Sequence, residues 1–312
     1  MNKKKIGFIA LVLIISGCAG VNGSSTSENS SEKGSISFVN PFTSSSSSTT
    51  TSSSTSKVES SSKVSSSSSK ESSSVSSAEK LDYYASIDFS KTGTALMKDL
   101  ETLLDATDNT SFRYSSLFEV FKYTDADPTN LKSGKILSFY SGTPSDRGSM
   151  NREHTWPNSR GGFLVEDDPH VTRPTINAEN SSRGNSFYNE NSSFDPGSFG
   201  NNKYRGISAR IIFYAAVKAY SEGLYLVDKN DDPQLSSTNS ITKKKWNPTM
   251  GKLSTLLKWN LEYDIDATET LRNETLYEDY SHCRNPFIDD RDLACKIWGD
   301  TNSETRAVCN KN

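Results

Sequence analysis

Residues 19–78 constrain this chain more than any other stretch: they are dominated by serine and threonine, with sparse lysine and glutamate. Such a segment has too little apolar surface to offset the entropy lost on ordering, so it is expected to be a disordered tether. Fully extended it would reach on the order of 200 Å, and as a random coil it would average ~45 Å. A folded core must therefore come from residues 79–312, a length that suits one substantial domain. The tract also explains why only 33% of the whole chain is apolar.

Residues 1–18 read as an export signal. A basic start (Lys3, Lys4, Lys5) precedes an apolar run from Ile6 to Ile15, which is too short to span a bilayer comfortably. The small pair Ser16-Gly17 before Cys18 resembles a bacterial lipoprotein processing site, which makes Cys18 the lipidated first residue of the mature chain. An ordinary signal peptide with an incidental cysteine is the alternative. The protein is thus expected outside the cell, either lipid-anchored to the outer face of the bacterial cell membrane or released.

Residues 1–80 hold 8 Lys and 5 Glu, so residues 81–312 carry 27 basic against 33 acidic side chains, a net charge of −6. That balance argues against broad electrostatic attachment to nucleic acid, though it leaves room for a local basic track. Beyond Cys18 the cysteines are Cys283, Cys295 and Cys309. An exported chain can form one disulfide among them, with the pairing open, and their spacing fits no common zinc pattern.

Hydrophobic periodicity predicts a helix over Thr92–Asp108 and a shorter one over Ser115–Tyr123, then a strand over Lys135–Ser141. Further helices are expected over Ile207–Tyr220, Thr249–Trp259 and Ala267–Tyr280, followed by a turn over Arg284–Asp289. The domain reads as mixed α/β (α+β) and largely helical.

Two of the three histidines lie in one stretch, Arg152-Glu153-His154-Thr155-Trp156-Pro157, continuing through Asp168-Pro169-His170 and Pro174 to Asn180, Arg183 and Asn185. Proline disfavours helix at the residue before it, so Glu153-His154 belongs to a strand end or an extended loop. Pro174 is expected to open a helix that Gly184 closes, with Asn180 and Arg183 one turn apart on one face.

This residue set suits metal-assisted hydrolysis of a phosphodiester. Glu153 and Asn180 offer hard oxygen ligands for Mg²⁺, with Mn²⁺ or Ca²⁺ as alternatives. His154, neutral near pH 7, can take a proton from an attacking water. Arg183, Arg173, Arg160 and Arg152 are each able to fork onto phosphate oxygens, and Arg210 on the following helix is a further substrate-binding candidate. Asp168, His170 and Asn185 read as supporting residues, His170 as one fixed by hydrogen bonding. Taken singly, each has a bland explanation: Glu153 a surface carboxylate, His154 a satisfied core histidine, Asn180 a helix-surface amide.

Taken together, the motifs resemble the bacterial endonuclease I family of exported nucleases. The likeness extends to Arg205-Gly206, Ala209-Arg210, Phe213-Tyr214, Trp259-Asn260 and Arg284-Asn285-Pro286-Phe287-Ile288-Asp289, covering about Tyr84 to Asp289. It implies a ββα-metal (His-Me finger) motif within a mixed α/β domain. It also implies sequence-nonspecific cleavage of DNA, often RNA too, leaving 5′-phosphate ends. In that likeness His154 matches the general base, Glu153 and Asn180 the metal ligands, and Arg160 the arginine that steadies the phosphate. His282 departs from the glutamine-rich turn expected before Arg284-Asn285. An inactive surface-binding lipoprotein on the same fold is the competing reading, and nothing in the sequence indicates an obligate protein partner. A zinc hydrolase of another kind would lack ligands, because no His pair has i, i+4 spacing.

Overall fold

A computed structural model describes residues 80, 82–109, 112–190, 194–228, 237–238, 245–246 and 248–310. The signal segment with Cys18, and the tether, lie outside the described residues. The first long helix, α1 (Gly93–Thr107), buries Leu96, Met97, Leu100, Leu103 and Leu104, the stripe expected from their spacing. After a 3-10 turn at Tyr114–Ser116 comes α2 (Phe118–Thr124), which buries Phe118, Val120 and Phe121.

Strand character in 135–141 is confined to β1 (Ile136–Leu137), paired antiparallel with β2 (Pro144–Ser145). The expected longer strand is cut short because 139–141 turn back at once, with the Gly142 amide donating to the Ser138 carbonyl. The organising ribbon is β3 (Met150–His154) against β4 (Thr172–Ile176), antiparallel, with Glu153 opposite Arg173 and His154 opposite Thr172. Pro174 does not open a helix. It sits within β4 opposite Arg152, where its carbonyl accepts from the Phe139 amide, and α3 (Asn177–Arg183) begins three residues later. A proline costs a strand only one N–H, and at Pro174 that position faces away from β3, as its carbonyl does, so the ribbon loses no bond. Gly184 follows the last helical residue, as expected. The three elements form ββα.

The central helix is α4 (Lys203–Lys218), buried almost continuously from Tyr204 to Val217. It packs against α1, α5 (Leu253–Glu262) and, after α6 (Ala267–Asp279), the short α7 (Pro286–Asp289). Helix α5 starts later than periodicity suggests. Thr249–Met250 instead pairs in parallel with Tyr225–Leu226. The stretch read as a turn at 284–289 contains α7, capped by Asn285, whose Oδ1 accepts from the Phe287 amide.

The chain closes with α8 (Leu293–Trp298) and α9 (Ser303–Cys309), stapled by a Cys295–Cys309 disulfide. Cys283 is buried as a free thiol, pushed up to about 12 chiefly by burial. The bridge closes a loop of sequence separation 14. Loop-closure entropy for that length is worth about 3 kcal/mol. A Cys295→Ser, Cys309→Ser double variant is therefore expected to lose about 2–3 kcal/mol of stability in urea unfolding. An unchanged midpoint would show that the packing of α9 on α5 carries the C-terminus alone.

Candidate active site

Alternation along β3 divides its last residues between two faces. Glu153 points inward and is 2% exposed, whereas Arg152 and His154 are half-buried and face a groove. The groove is also lined by Tyr114, Phe118, Arg147 and Asn180, so the strand end and the middle of α3 meet there. Glu153 and His154 are thus neighbours in sequence that reach the region from opposite sides of the ribbon.

Glu153 is held from the core. Its Oε1 accepts from the Tyr140 hydroxyl at 2.8 Å, and Tyr140 in turn lies 2.8 Å from the Tyr188 hydroxyl. Arg183, fully buried, brings Nε to 3.3 Å from the same Oε1 without the alignment of a hydrogen bond. Its other nitrogens donate to the carbonyls of Thr155 (2.5 Å) and Gly184 (2.9 Å). Burial raises the Glu153 carboxyl to about 7, and Arg183 only partly opposes that. A carboxylate oxygen and the Asn180 amide oxygen are both hard ligands, and the Asn180 side chain donates to or accepts from no other described residue. As donor types Glu153 and Asn180 suit a hard divalent ion; Asn180 lines the groove, and Glu153 does not. No cluster of three or more His, Cys, Asp or Glu able to hold a metal occurs among the described residues.

His154 is oriented by residues that sequence reasoning missed. Its Nε2 lies 3.0 Å from Glu166 Oε2, the same oxygen that accepts from Asn158 Nδ2 at 2.9 Å. Because a carboxylate only accepts, Nε2 carries the proton and Nδ1 keeps its lone pair. The Tyr114 ring stacks on the imidazole with centroids 4.8 Å apart and planes 26° from parallel. Burial lowers the His154 pKa, outweighing Glu166, so the neutral ring is favoured. The arrangement has the parts of a general base: a neutral imidazole, a fixed tautomer and an open groove. The only signal for Glu166 in the sequence was the acidic run Glu166-Asp167-Asp168, which carries no spacing rule.

The arginines separate sharply. Arg152 lies over the Tyr114 ring at 4.2 Å, and Arg147 lies over Phe118 at 3.5 Å; both line the groove. Arg160 donates from Nε to the Asn185 carbonyl and packs over Phe187, so Asn185 takes part through its backbone. Three others are not presented to the groove as expected. Arg183 is enclosed with Glu153. Arg173 donates to Asp125 at 2.8 Å. Arg210 forms two 2.6 Å bonds to Glu269 inside the helical core, where an unpaired guanidinium could not stay.

Asp168 and His170 form a buried support. Asp168 accepts from Tyr214 and from the His170 amide, both at 2.7 Å. His170 Nε2 donates to the Cys283 carbonyl at 3.0 Å, and burial lowers its pKa to about 3. The folded chain thus keeps His170 neutral while the unfolded chain protonates it below its ordinary 6.5. That contribution is complete above pH 6.5 and is lost as pH falls toward 3. Replacing His170 by Gln, which can still donate to the Cys283 carbonyl, is expected to flatten the stability–pH slope over this window by about one proton. An unaltered slope would assign acid sensitivity to other groups.

Comparison with known proteins found relatives of this chain. Residues 92–292 match the sequence model of the family described as Endonuclease I. The chain is 36% identical over 241 residues to an extracellular ribonuclease of Bacillus amyloliquefaciens, covering 71% of this chain and 80% of that protein. It is 32% identical over 238 residues to an extracellular ribonuclease of Bacillus subtilis (strain 168), covering 69% and 78%. No solved structure matches.

Proposed function

The chain belongs to the endonuclease I family, and on that premise we propose that it is an exported, metal-dependent endonuclease. It cuts phosphodiester bonds of RNA and DNA without sequence preference and leaves 5′-phosphate ends. The observation that carries the reading is the neutral imidazole of His154, fixed through Nε2 by Glu166 and opening onto a groove shared with Asn180 and Arg152. RNA stands beside DNA as substrate because both relatives are named extracellular ribonucleases.

In this mechanism Nδ1 of His154 takes the proton of the attacking water as its oxygen bonds to phosphorus and the 3′ oxygen departs. Glu166 stabilises the imidazolium that results. Glu153 and Asn180 would hold a hard divalent ion, Mg²⁺ with Mn²⁺ or Ca²⁺ as alternatives, which would offset charge on the phosphate and the leaving oxygen. Arg183 acts on Glu153 and fixes its place. Arg152 and Arg147, resting on aromatic faces, meet the phosphate backbone on either side of the cut. Arg160 braces the loop against Asn185. Arginine contacts to the phosphate backbone suit cleavage of any sequence. Export follows from the residue 1–18 signal and from the relatives' extracellular naming, and lipid on Cys18 with the 19–78 tether would keep the enzyme at the cell surface.

The test incubates the secreted chain with supercoiled plasmid and with structured RNA, in Mg²⁺ or in EDTA. Cleavage is expected only with the metal. His154→Ala should slow it ~10³-fold, and Glu166→Gln, which weakens the orienting bond, ~10- to 100-fold. No cleavage with Mg²⁺, Mn²⁺ or Ca²⁺ by folded protein would overturn the enzyme in favour of a surface-binding lipoprotein.

A further inference from the structure

Away from the His154 groove, and sharing no lining residue with it, a cavity of about 460 Å³ opens between α2, α4 and α6. Its walls are apolar, built from Leu137, Phe139, Tyr204, Ile207 and Ile211. Its rim is apolar as well. Tyr123, Leu131 and Leu271 are 65%, 71% and 53% exposed, and they are three of the five large hydrophobic side chains left in solvent among the described residues. Exposed apolar groups gathered at one opening mark a binding site more often than chance.

The floor is charged. Asp125, 7% exposed, accepts from Arg173 Nη2 at 2.8 Å and from Arg272 Nη2 at 3.1 Å. Both arginines are more than nine-tenths buried, and they share this one carboxylate. The remaining charged groups of the lining are matched elsewhere: Lys203 with Asp266 at 2.8 Å, and Glu269 with Arg210. Counted over the lining alone, two arginines face one carboxylate, with Asp168 outside the lining also acting on Arg272. Two observations agree. Arg173 Nε is buried without a partner, and the Nη1 of neither arginine donates to any described residue. Burial, with Arg173 beside it, lowers Arg272 to about 10 against the opposing pull of Asp125 and Asp168.

We propose that this cavity binds a small amphipathic anion, one carboxylate on an apolar body, with the carboxylate on the Arg173–Arg272 pair and the body against the α4 wall. A carboxylate completes the charge balance and supplies acceptors to the spare guanidinium donors. An apolar body buries the rim that water otherwise covers. The volume is in the range that small organic ligands occupy. Arg173 lies on β4 opposite Glu153 in the β3–β4 register, so an occupant holds the strand that pairs with the one carrying His154.

The test is calorimetric titration of the full exported chain with decanoate, below its micelle-forming range, beside decanol and inorganic phosphate. Decanoate is expected to bind one per chain, about tenfold or more tighter than either control, the worth of a charge-assisted hydrogen bond. Ile207→Trp, which fills the cavity from α4, should abolish binding. Leu271→Glu sets a carboxylate at the exposed rim, where folding is not at stake, and should weaken binding at least ~5-fold. Decanol binding as well as decanoate would overturn the anion site, and phosphate binding as well would overturn the apolar contribution. Absence of saturable decanoate binding, or binding unaltered in both variants, would overturn the site itself.

Discussion

Everything around the candidate active site depends on how one carboxylate is buried. Glu153 is withdrawn from water at the end of β3, and an ionised carboxylate in that position costs several kcal/mol unless charge and hydrogen bonds surround it. Those partners come from three separate segments: Tyr140 from the turn after β1, Arg183 from the end of α3 and, through Tyr140, Tyr188. Meeting that demand ties α3 onto the ribbon. It also fixes the β3–β4 register, because a slip by one residue would turn Glu153 outward and His154 into the core.

The same alternation produces a division of labour. Glu153 on one pleat is enclosed and accepts a hydrogen bond from the core. Residues on the outer pleat, Arg152 and His154, lean on aromatic faces and a single acidic partner, and so remain available to a substrate. His154 is held by stacking on one side and by Glu166 at its edge, and both restrict an imidazole without occupying Nδ1. Rigid placement of a base from a strand end is what proton transfer at a defined point requires.

Much of this was legible in the residues. Leu96, Met97, Leu100, Leu103 and Leu104 announced α1 by spacing alone, and Trp156-Pro157 placed Glu153-His154 at a strand end. The family likeness supplied the pairing of those residues with Asn180. Pro174 misled because proline is favoured both at helix starts and on open strand edges, and only the ribbon's partner distinguishes them. The arginines were harder still. Arg183, Arg173 and Arg210 look alike in sequence, yet each is committed to a carboxylate, and Asp125 reaches Arg272 across 147 residues. Glu166 was invisible for the same reason: its role arises from loop closure, which no short-range pattern encodes. The disulfide followed suit, since three cysteines allow three pairings and only the packing of α8 against α9 selects Cys295–Cys309.

On the proposed function, Glu153, clamped by Arg183, is the main hold on a divalent ion beside His154. Mn²⁺ binding, followed by electron paramagnetic resonance, to the wild-type chain and to Glu153→Gln and Asn180→Ala reads this hold. A single Mn²⁺ site that weakens ~10-fold or more in each variant, with folding intact by circular dichroism, is the predicted result. Equal Mn²⁺ affinity in all three proteins would contradict it and place the metal, and with it the chemistry, somewhere other than the end of β3.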